Sequence, residues 1–361
     1  MGIKNTSGLS GKLEFGFTAN QKVLRLVASI DRFEGKWQRI EETKGKQLAE
    51  LRQIATLQSI GSSTRIEGAT LTDKEVAKFL GALNITRFES RDQEEVSGYR
   101  DALAIILEKH ADIPFRESSV FNLHAILLKP VGKDQRHRGK YKSLSNSVNA
   151  NYPDGTTKVI FETTPPHLVD KSMESLFSWT REQARGKDIH PLLVIGLIVY
   201  EFLSIHPFQD GNGRLSRLLT TLLLLQAGYG FIQYISFEHQ IENRKKEYYR
   251  ALMECQKRRK PGKAEDISDW LLFFLDCLGE LTLKLERKSF SLETADGYLN
   301  DRKRKILAHI REQGPVKLAD IAGRFAQDSI NTLKKDLRDL TTAGLLEKTG
   351  RNKGTVYSSR P

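Results

Sequence analysis

The stretch His206-Pro207-Phe208-Gln209-Asp210-Gly211-Asn212-Gly213-Arg214-Leu215-Ser216-Arg217 lies between two strongly apolar segments, residues 192–205 and 218–225. Both segments are too short to cross a bilayer, and they predict buried helices. The polar residues between them must therefore gather at one loop that helices enclose. This stretch points to a mainly α fold and marks where a functional site is expected.

Gly211, Asn212 and Gly213 predict a phosphate-binding turn at the start of the second helix. Glycine adopts positive φ without a steric penalty, so such a run can direct successive N–H groups toward an anion. The following helix presents its N-terminal amides and the positive end of its dipole to the same place. Arg214 and Arg217 are three residues apart on this helix, so they share one face and can hold further phosphate oxygens.

Asp210 and His206 complete the predicted site. Asp210 directly precedes the turn and offers the hard oxygen ligand that suits Mg²⁺ bound to phosphates. His206 can titrate near neutral pH, as a general base must if it is to take a proton from an attacking hydroxyl. These twelve residues therefore supply a base, a metal ligand and a phosphate cradle.

This stretch resembles the signature of the Fic family, His-Pro-Phe-x-Asp-Gly-Asn-Gly-Arg-x-x-Arg, and matches it at every defined position. The resemblance covers roughly residues 40–280 and implies a helical core that transfers AMP from ATP to hydroxyl groups of proteins. It implies that His206 deprotonates the target hydroxyl, that Asp210 holds Mg²⁺ and that Arg217 meets the γ-phosphate. The residues implied to bind the α- and β-phosphates are Gly211, Asn212, Gly213 and Arg214, with pyrophosphate as the leaving group.

Three further positions bear on the nucleotide. Family members that act as kinases carry a bulkier basic residue where this chain has Gly213, and they bind ATP in the opposite direction. The glycine therefore implies AMP transfer. Tyr248 and Tyr249 resemble the tyrosines that border the family's adenine site, and ordinary helix packing is the alternative interpretation for each.

Residues 136–166 interrupt the helical pattern with frequent Gly, Asn, Ser and Pro. Tyr152-Pro153-Asp154-Gly155 is a turn signal between Val148 and the short apolar run that ends at Phe161, so a β-hairpin is predicted. The hairpin from Val148 to Phe161 resembles the flap of the family, which would hold a target protein by strand-like main-chain pairing.

A second family motif lies nearer the N-terminus. Ser63-Thr64-Arg65-Ile66-Glu67-Gly68 matches the inhibitory pattern of Ser or Thr, three variable residues, Glu, then Gly or Asn. Apolar periodicity predicts a helix here that Gly68 closes, with Ser63 and Glu67 on one face. If that face meets the site, Glu67 pairs with Arg217 in the place of the γ-phosphate, and the chain inhibits itself.

The C-terminal part predicts a winged helix-turn-helix domain, with helices at 302–312, 317–325 and 329–343 before a hairpin tipped by residues 350–354. Residues 301–361 hold 14 Lys/Arg against 7 Asp/Glu, which favours a polyanionic partner. The recognition helix would carry Asn331, Lys334, Lys335 and Arg338 to DNA. Asp336 and Asp339 on the same helix favour the alternative, protein contacts or dimerisation.

The predicted organisation is an N-terminal helical region at 1–100 that carries the inhibitory helix, a catalytic core at 101–285 and the winged helix domain at 300–361. A linker is predicted at 286–301. Of the 361 residues 39% are hydrophobic and 28% are charged, which is typical of a folded protein. The N-terminus lacks the apolar core of a signal peptide, and two cysteines, Cys255 and Cys277, make no disulfide framework, so we expect a cytoplasmic protein without a membrane segment.

Other site chemistries are disfavoured. The chain has no His-Glu-x-x-His motif of a zinc hydrolase and no Gly-rich loop ending in Lys-Ser or Lys-Thr. The other seven histidines, His124 among them, are interpreted as packing or loop residues. Two hypotheses remain: an adenylyltransferase, and a DNA-binding regulator whose Fic site mainly modifies itself. The modified residue (Ser, Thr or Tyr), removal of AMP, and the choice between monomer and homodimer stay open.

Overall fold

The computed structural model describes residues 8–44, 48–81, 88–132, 135–151, 157–186, 188–259, 265–297, 301–342, 345–350 and 355–359. Their mainly helical structure confirms the predicted fold class. The elements are α1 (Phe17–Lys44), α2 (Ala49–Ile66), α3 (Asp73–Leu80), α4 (Arg91–Lys109), α5 (Glu117–Leu127), β1 (Ser147–Asn151), β2 (Thr157–Glu162), α6 (Pro166–Gly186), α7 (Pro191–Ile205), α8 (Asn212–Gln226), α9 (Phe237–Asn243), α10 (Lys245–Lys257), α11 (Ser268–Gly297), α12 (Asp301–Gln313), β3 (Val316–Lys317), α13 (Leu318–Arg324), α14 (Ile330–Thr342), β4 (Leu346–Thr349) and β5 (Val356–Ser359).

The chain divides into two compact units, Met1–Leu283 and Lys284–Pro361. The boundary predicted near residue 100 falls within α4, and that finer division stays a prediction. Residues 286–297 of the linker predicted at 286–301 are helical, because α11 continues to Gly297, and the division between the two units falls just before them. No Gly or Pro occurs between residues 280 and 296, so nothing in the sequence ends the helix earlier. Residues 298–300 lie outside the described chain.

Helices α7 and α8 form the centre of the first unit, and both are buried along most of their length, as predicted. Pro191 starts α7 at a position where its missing N–H is not needed. The loop between them reverses the chain through two left-handed residues, His206 with φ of 53° and Gly211 with φ of 80°. In the described part of the chain, no helix combines the length and apolar character that crossing a membrane requires.

Helix α2 packs against α4, α8 and α9. Its buried surface is rich in small residues, which let the neighbouring helices approach closely: Ser59, Gly61, Ser62, Ser63 and Thr64. Gly68 follows with φ of 112°, which confirms its predicted place at the end of the helix. This packing brings the C-terminal turn of α2 to the start of α8.

The sequence indicates helical character over residues 38–83 without separating α3 from α2, and it did not reveal α9 or the first part of α1. A readable signal existed for α3, whose first turn has a capping box between Thr72 and Glu75. The flap strands β1 and β2 pair antiparallel, with Val148 opposite Phe161, as predicted. The predicted turn at residues 152–155 and the wing tip at 351–354 lie outside the described residues.

The second unit has the predicted order of three helices and a hairpin, joined by the short strand β3, in a three-stranded sheet of order β3-β5-β4. Because β3 takes up Lys317, the middle helix begins at Leu318 rather than at 317. The core of this unit contains Ile306, Ile310, Ile321, Leu333, Leu337, Leu340 and Tyr357. The unit therefore has an apolar centre of its own.

Gly98 tests the packing of α4 on α5. A Cβ at this position would lie 1.9 Å from the main-chain oxygen of Leu127, so Gly98→Ala must push the two helices apart. We expect a loss of unfolding free energy of about 3 kcal/mol or more. The matched control Gly35→Ala, in an open part of α1, should gain about 0.5–1 kcal/mol.

Urea unfolding followed by tryptophan fluorescence measures both variants. All three tryptophans, Trp37, Trp179 and Trp270, lie in the first unit, so the signal reports that unit alone. Equal stability of the Gly98→Ala variant and the parent would contradict the close approach of α4 and α5.

Candidate active site

One cavity of about 650 Å³ brings together most of the residues that the sequence singled out. It is lined by His206 and Asp210 from the loop, Gly211, Asn212, Gly213 and Arg214 at the start of α8, Glu67 after α2, Tyr248 and Tyr249 from α10, and Val148 from β1. Arg217 and Ser63 are buried beside this cavity. The cavity thus contains residues from both motifs and from the flap.

The loop is held in shape by its own side chains. The amide of Asn212 accepts a hydrogen bond from the main-chain N–H of Phe208 at 2.9 Å and donates to the carbonyl of Phe208 at 2.7 Å. The predicted run of positive φ is wrong for Gly213, which is helical, and holds only for Gly211. The hydrogen-bond donors available to an anion here are therefore the main-chain N–H groups of the first turn of α8, which have no partner within that helix.

His206 ends α7 with its ring held in one tautomer. Its Nδ1 lies 3.2 Å from the carbonyl of Leu203, and because a carbonyl only accepts, Nδ1 carries the proton. Burial lowers the pKa of His206 to about 4, aided by the nearby charge of Lys142 and opposed by the Leu203 carbonyl, Glu67 and Asp210. The ring is thus neutral at physiological pH, and its Nε2 can accept a proton.

His124, interpreted from the sequence as a packing residue, also anchors the loop. Its ring stacks on Phe208 with centroids 3.8 Å apart. Its Nδ1 accepts from the N–H of Gly139 at 2.9 Å, and its Nε2 donates to the carbonyl of Asp210 at 3.0 Å. No local pattern signals this role, because His124 and Asp210 are 86 residues apart in the chain.

Asp210 lies in a cluster of alternating charges that includes two residues the sequence did not single out. Its Oδ2 accepts from Arg214 at 2.9 Å and from Arg91 at 3.1 Å, while Glu95 bonds Arg91 at 2.9 Å and lies 3.4 Å from Arg214. Burial acts to raise the pKa of Asp210, but Arg214 and Arg91 outweigh it and hold that pKa below its usual value. Asp210 is therefore an ionised carboxylate.

Arg217 is bound by the last turn of α2. Its Nε donates to Ser63 Oγ, and its Nη2 donates to the Ser63 carbonyl and to Glu67 Oε1, each at 2.8 Å. The Ser63 carbonyl is one of the last in α2, where helices leave carbonyls without internal partners. The structure therefore contains the ion pair between Glu67 and Arg217 that the sequence predicts.

Gly213 makes room for this ion pair. A Cβ at position 213 would lie 2.1 Å from Glu67 Oε1 and 3.3 Å from Arg217 Nη1. Any side chain at this position must therefore displace the carboxylate. In this structure the Glu67 carboxylate occupies the space beside Gly213 that the sequence analysis expected a nucleotide to use.

Tyr248 and Tyr249 both line the cavity and both pack against other rings. Their own rings meet edge to face at 5.1 Å, and Tyr248 also lies 5.7 Å from Trp270. The arrangement is thus compatible with each of the two interpretations that the sequence left open.

The residues present fit an anion with one bound Mg²⁺. Within the described residues, the Nη1 atom of Arg217 and the Nε atom of Arg214 are buried and have no hydrogen-bond acceptor. No group of three His, Cys, Asp or Glu in that part of the chain could hold a metal. A single ionised carboxylate such as Asp210 suits Mg²⁺, which proteins often bind through one carboxylate together with substrate phosphates.

Comparison with known proteins gives two family matches. Residues 114–224 match the Fic/DOC family, and residues 299–359 match the winged helix DNA-binding domain. The protein adenylyltransferase Fic of Drosophila sechellia is 29% identical over 209 residues, which are 57% of this chain and 39% of the relative. The chain thus spans well under half the length of the curated relatives it matches.

Two solved structures are similar to this fold. A Fic family protein from Desulfovibrio desulfuricans superposes with a TM-score of 0.63 at 22% identity, covering 94% of this chain and 96% of its own. A Fic domain containing signaling protein from Bacteroides thetaiotaomicron has a TM-score of 0.58 at 26% identity and covers 71% and 94%. The likeness to the first extends over nearly the whole chain and establishes the fold.

The protonation of His206 can be measured directly. Because burial lowers its pKa to about 4, we expect NMR of ¹⁵N-labelled histidine to show a neutral ring with the proton on Nδ1 down to about pH 5. His206→Asn identifies the signal by its loss. A titration midpoint near pH 6.5, or a ring protonated on Nε2, would contradict this description of the site.

Proposed function

We propose that this chain, which carries a Fic/DOC domain, transfers AMP from ATP to hydroxyl side chains of proteins and is inhibited by its own Glu67. The observation that carries the proposal is the single cavity in which a neutral His206, an ionised Asp210, Arg214 and flap residue Val148 meet. The matches to the Fic/DOC family and to relatives named protein adenylyltransferase support the same reaction.

The nucleotide phosphates would lie along the start of α8. The first-turn amides of residues 211–213 and the Arg214 guanidinium would hold the α- and β-phosphates, and Arg217 would hold the γ-phosphate. Asp210 would bind Mg²⁺, which when present neutralises phosphate charge. Tyr248 and Tyr249, at the α10 side of the cavity, would border the adenine.

His206 would act as the general base. Its Nε2 takes the proton of a Ser, Thr or Tyr hydroxyl as that oxygen bonds to the α-phosphorus. The bond from the α-phosphorus to the bridging oxygen breaks, and pyrophosphate leaves. The flap between Val148 and Phe161 would hold the target protein, or a segment of this same chain, by main-chain pairing to a strand edge.

Glu67 would act as the brake. Its carboxylate lies on Arg217 and against Gly213, where a γ-phosphate needs to be. A carboxylate and a phosphate cannot share this place, because their like charges repel and their volumes overlap. ATP would therefore bind productively only when the Glu67 side chain leaves.

Replacing Glu67 should raise AMP transfer. We expect Glu67→Gly to increase it about 5- to 150-fold, the range of a 1–3 kcal/mol bias between two states. Glu67→Gln, which keeps the volume but not the charge, should lie in between. Adding His206→Ala to Glu67→Gly should reduce the rate about 10²- to 10⁴-fold, because the general base is lost.

The measurement compares label transfer from ATP labelled at the α-phosphate with transfer from ATP labelled at the γ-phosphate, with and without cell lysate. His167→Ala, an exposed histidine of α6, is the matched control for His206→Ala. Transfer of γ-label would indicate a kinase. Equal rates for the parent and Glu67→Gly would refute the brake.

A second function is favoured by the recognition helix of the winged helix unit. Asp336 is buried and bonds Arg302 at 2.5 Å, and Asp339 bonds Lys303 at 2.7 Å, so both acids face α12. A groove of about 1020 Å³ is lined instead by Lys317, Lys334, Lys335, Arg338 and Lys348, together with Asn331 and Tyr357. Within the described residues no acidic side chain lines this groove, so the acids do not oppose binding of a DNA backbone here.

DNA binding by this groove would show a steep salt dependence. We expect the alanine variants at Lys334, Lys335 and Arg338 each to weaken binding to duplex DNA and to reduce the slope of log affinity against log salt by about 1. Arg311→Ala, an exposed change on α12, is the control. Fluorescence anisotropy at several salt concentrations measures this. Absent or salt-independent binding would leave protein contacts as the role of this unit.

A further inference from the structure

Lys142 is a buried lysine that the signature motif does not include. It is 4% exposed and lies between α5 and β1, just before the flap. Its Nζ donates to Asn146 Oδ1 and Thr163 Oγ1, both at 2.7 Å, and to the carbonyl of Ile205 at 3.3 Å. Within the described residues, the three atoms to which its Nζ donates are neutral oxygens and not carboxylates.

The contacts of Lys142 enclose His206 on both sides. The main-chain N–H of Lys142 donates to the carbonyl of Pro207 at 2.8 Å, while its Nζ holds the carbonyl of Ile205. These carbonyls belong to the two residues that flank His206, which has a φ of 53°. Because a side chain with a Cβ rarely adopts positive φ, such a conformation needs support from its surroundings.

The other contacts of Lys142 hold the base of the flap. Asn146 directly precedes β1, and Thr163 directly follows β2. Thr163 Oγ1 also donates to Asn146 Oδ1, and Asn146 Nδ2 donates to the carbonyl of Phe208 at 2.8 Å. One ammonium group therefore links both flap strands to the loop that carries the base.

We propose that Lys142 is a positioning residue that fixes the distance between His206 and the flap, so that a hydroxyl on a protein paired with the flap meets His206 Nε2. The target would be held on the flap and the base is held on the loop, and Lys142 supports the connection between them both directly and through Asn146, which contacts Phe208. The distance between the target hydroxyl and His206 Nε2 affects the rate of the transfer step but not the affinity for ATP. The activity readout of this inference rests on the proposed AMP transfer, whereas its structural readout does not.

The test uses the Glu67→Gly background and compares Lys142→Met with Lys142→Arg. Lys142→Met should reduce transfer of α-label to lysate proteins about 100-fold, as expected for a base displaced by roughly 1 Å. ATP affinity, measured by calorimetry, should stay within about twofold, because the amides of α8, Arg214 and Arg217 remain. Lys142→Arg keeps the charge and the donors and should restore part of the lost transfer.

Hydrogen exchange is the structural readout that separates this inference from the proposed function. Hydrogen exchange of the β1–β2 amides should accelerate in Lys142→Met even if the chain transfers no AMP at all. Thr163→Val removes the hydroxyl that accepts from Lys142 and donates to Asn146 but leaves the ammonium group in place, so it should change exchange and transfer in the same direction to a smaller extent. Combined with Lys142→Met it should add little, because both changes break the same link.

Lys140→Met is the matched control, since Lys140 is exposed and only two residues away. It should match the background in every readout. Loss of ATP affinity in parallel with transfer, unchanged exchange of the flap amides, or an equal effect of Lys140→Met would each overturn the inference. If Lys142→Met accelerates hydrogen exchange of the flap amides but the Glu67→Gly background transfers no label, the link between loop and flap is supported and the proposed AMP transfer is rejected.

Discussion

Arg217 is a permanently charged guanidinium that is only 2% exposed, and the arrangement of the site depends on its need for anionic or carbonyl partners. Ser63 and Glu67 supply those partners from a helix 150 residues away in the chain. The Glu67 side chain is 35% exposed, so water weakens its pairing with Arg217, but the buried guanidinium would still be stranded without its partners. The end of α2 is therefore held at the site by charge as well as by the close packing of its small residues.

Glu67 and Asp210, two of the carboxylates that line the cavity, both pair with arginines. Glu67 binds Arg217, and Asp210 binds Arg214 and Arg91, so the arginines expected to bind phosphates are already paired with acids. Binding a nucleotide would exchange these contacts for phosphate oxygens. In the proposed reaction Glu67 would have no further role once a phosphate took Arg217, whereas Asp210 would keep one as a ligand of Mg²⁺. A buried arginine that loses its carboxylate needs another anion in its place, so the proposed inhibitory pair and the proposed phosphate site would be two uses of the same guanidinium.

The sequence could predict what is local in the chain. The motif from His206 to Arg217 and the helices beside it follow from spacing and periodicity, whereas the pairing of Glu67 with Arg217, 150 residues apart, is implied only by the resemblance to the family's inhibitory pattern. His124, Lys142, Arg91 and Glu95 could not be found this way, because each reaches the loop from at least 63 residues away. Their partners are mostly main-chain oxygens and motif side chains, which leave no pattern in the sequence around them.

In the winged helix unit, the sequence contains the relevant charges, but a count along the chain does not show which way they face. Along α14, two acidic residues, Asp336 and Asp339, alternate with three basic ones, Lys334, Lys335 and Arg338. Their number alone does not decide between DNA binding and protein contacts. The helix instead sorts these charges by face, with the two acids three residues apart on the side that meets Arg302 and Lys303 of α12. Leu333, Leu337 and Leu340 mark the buried side, so their spacing already fixes how the helix is rotated. The charge of a helix therefore indicates a partner only after its apolar stripe has shown which residues face outward.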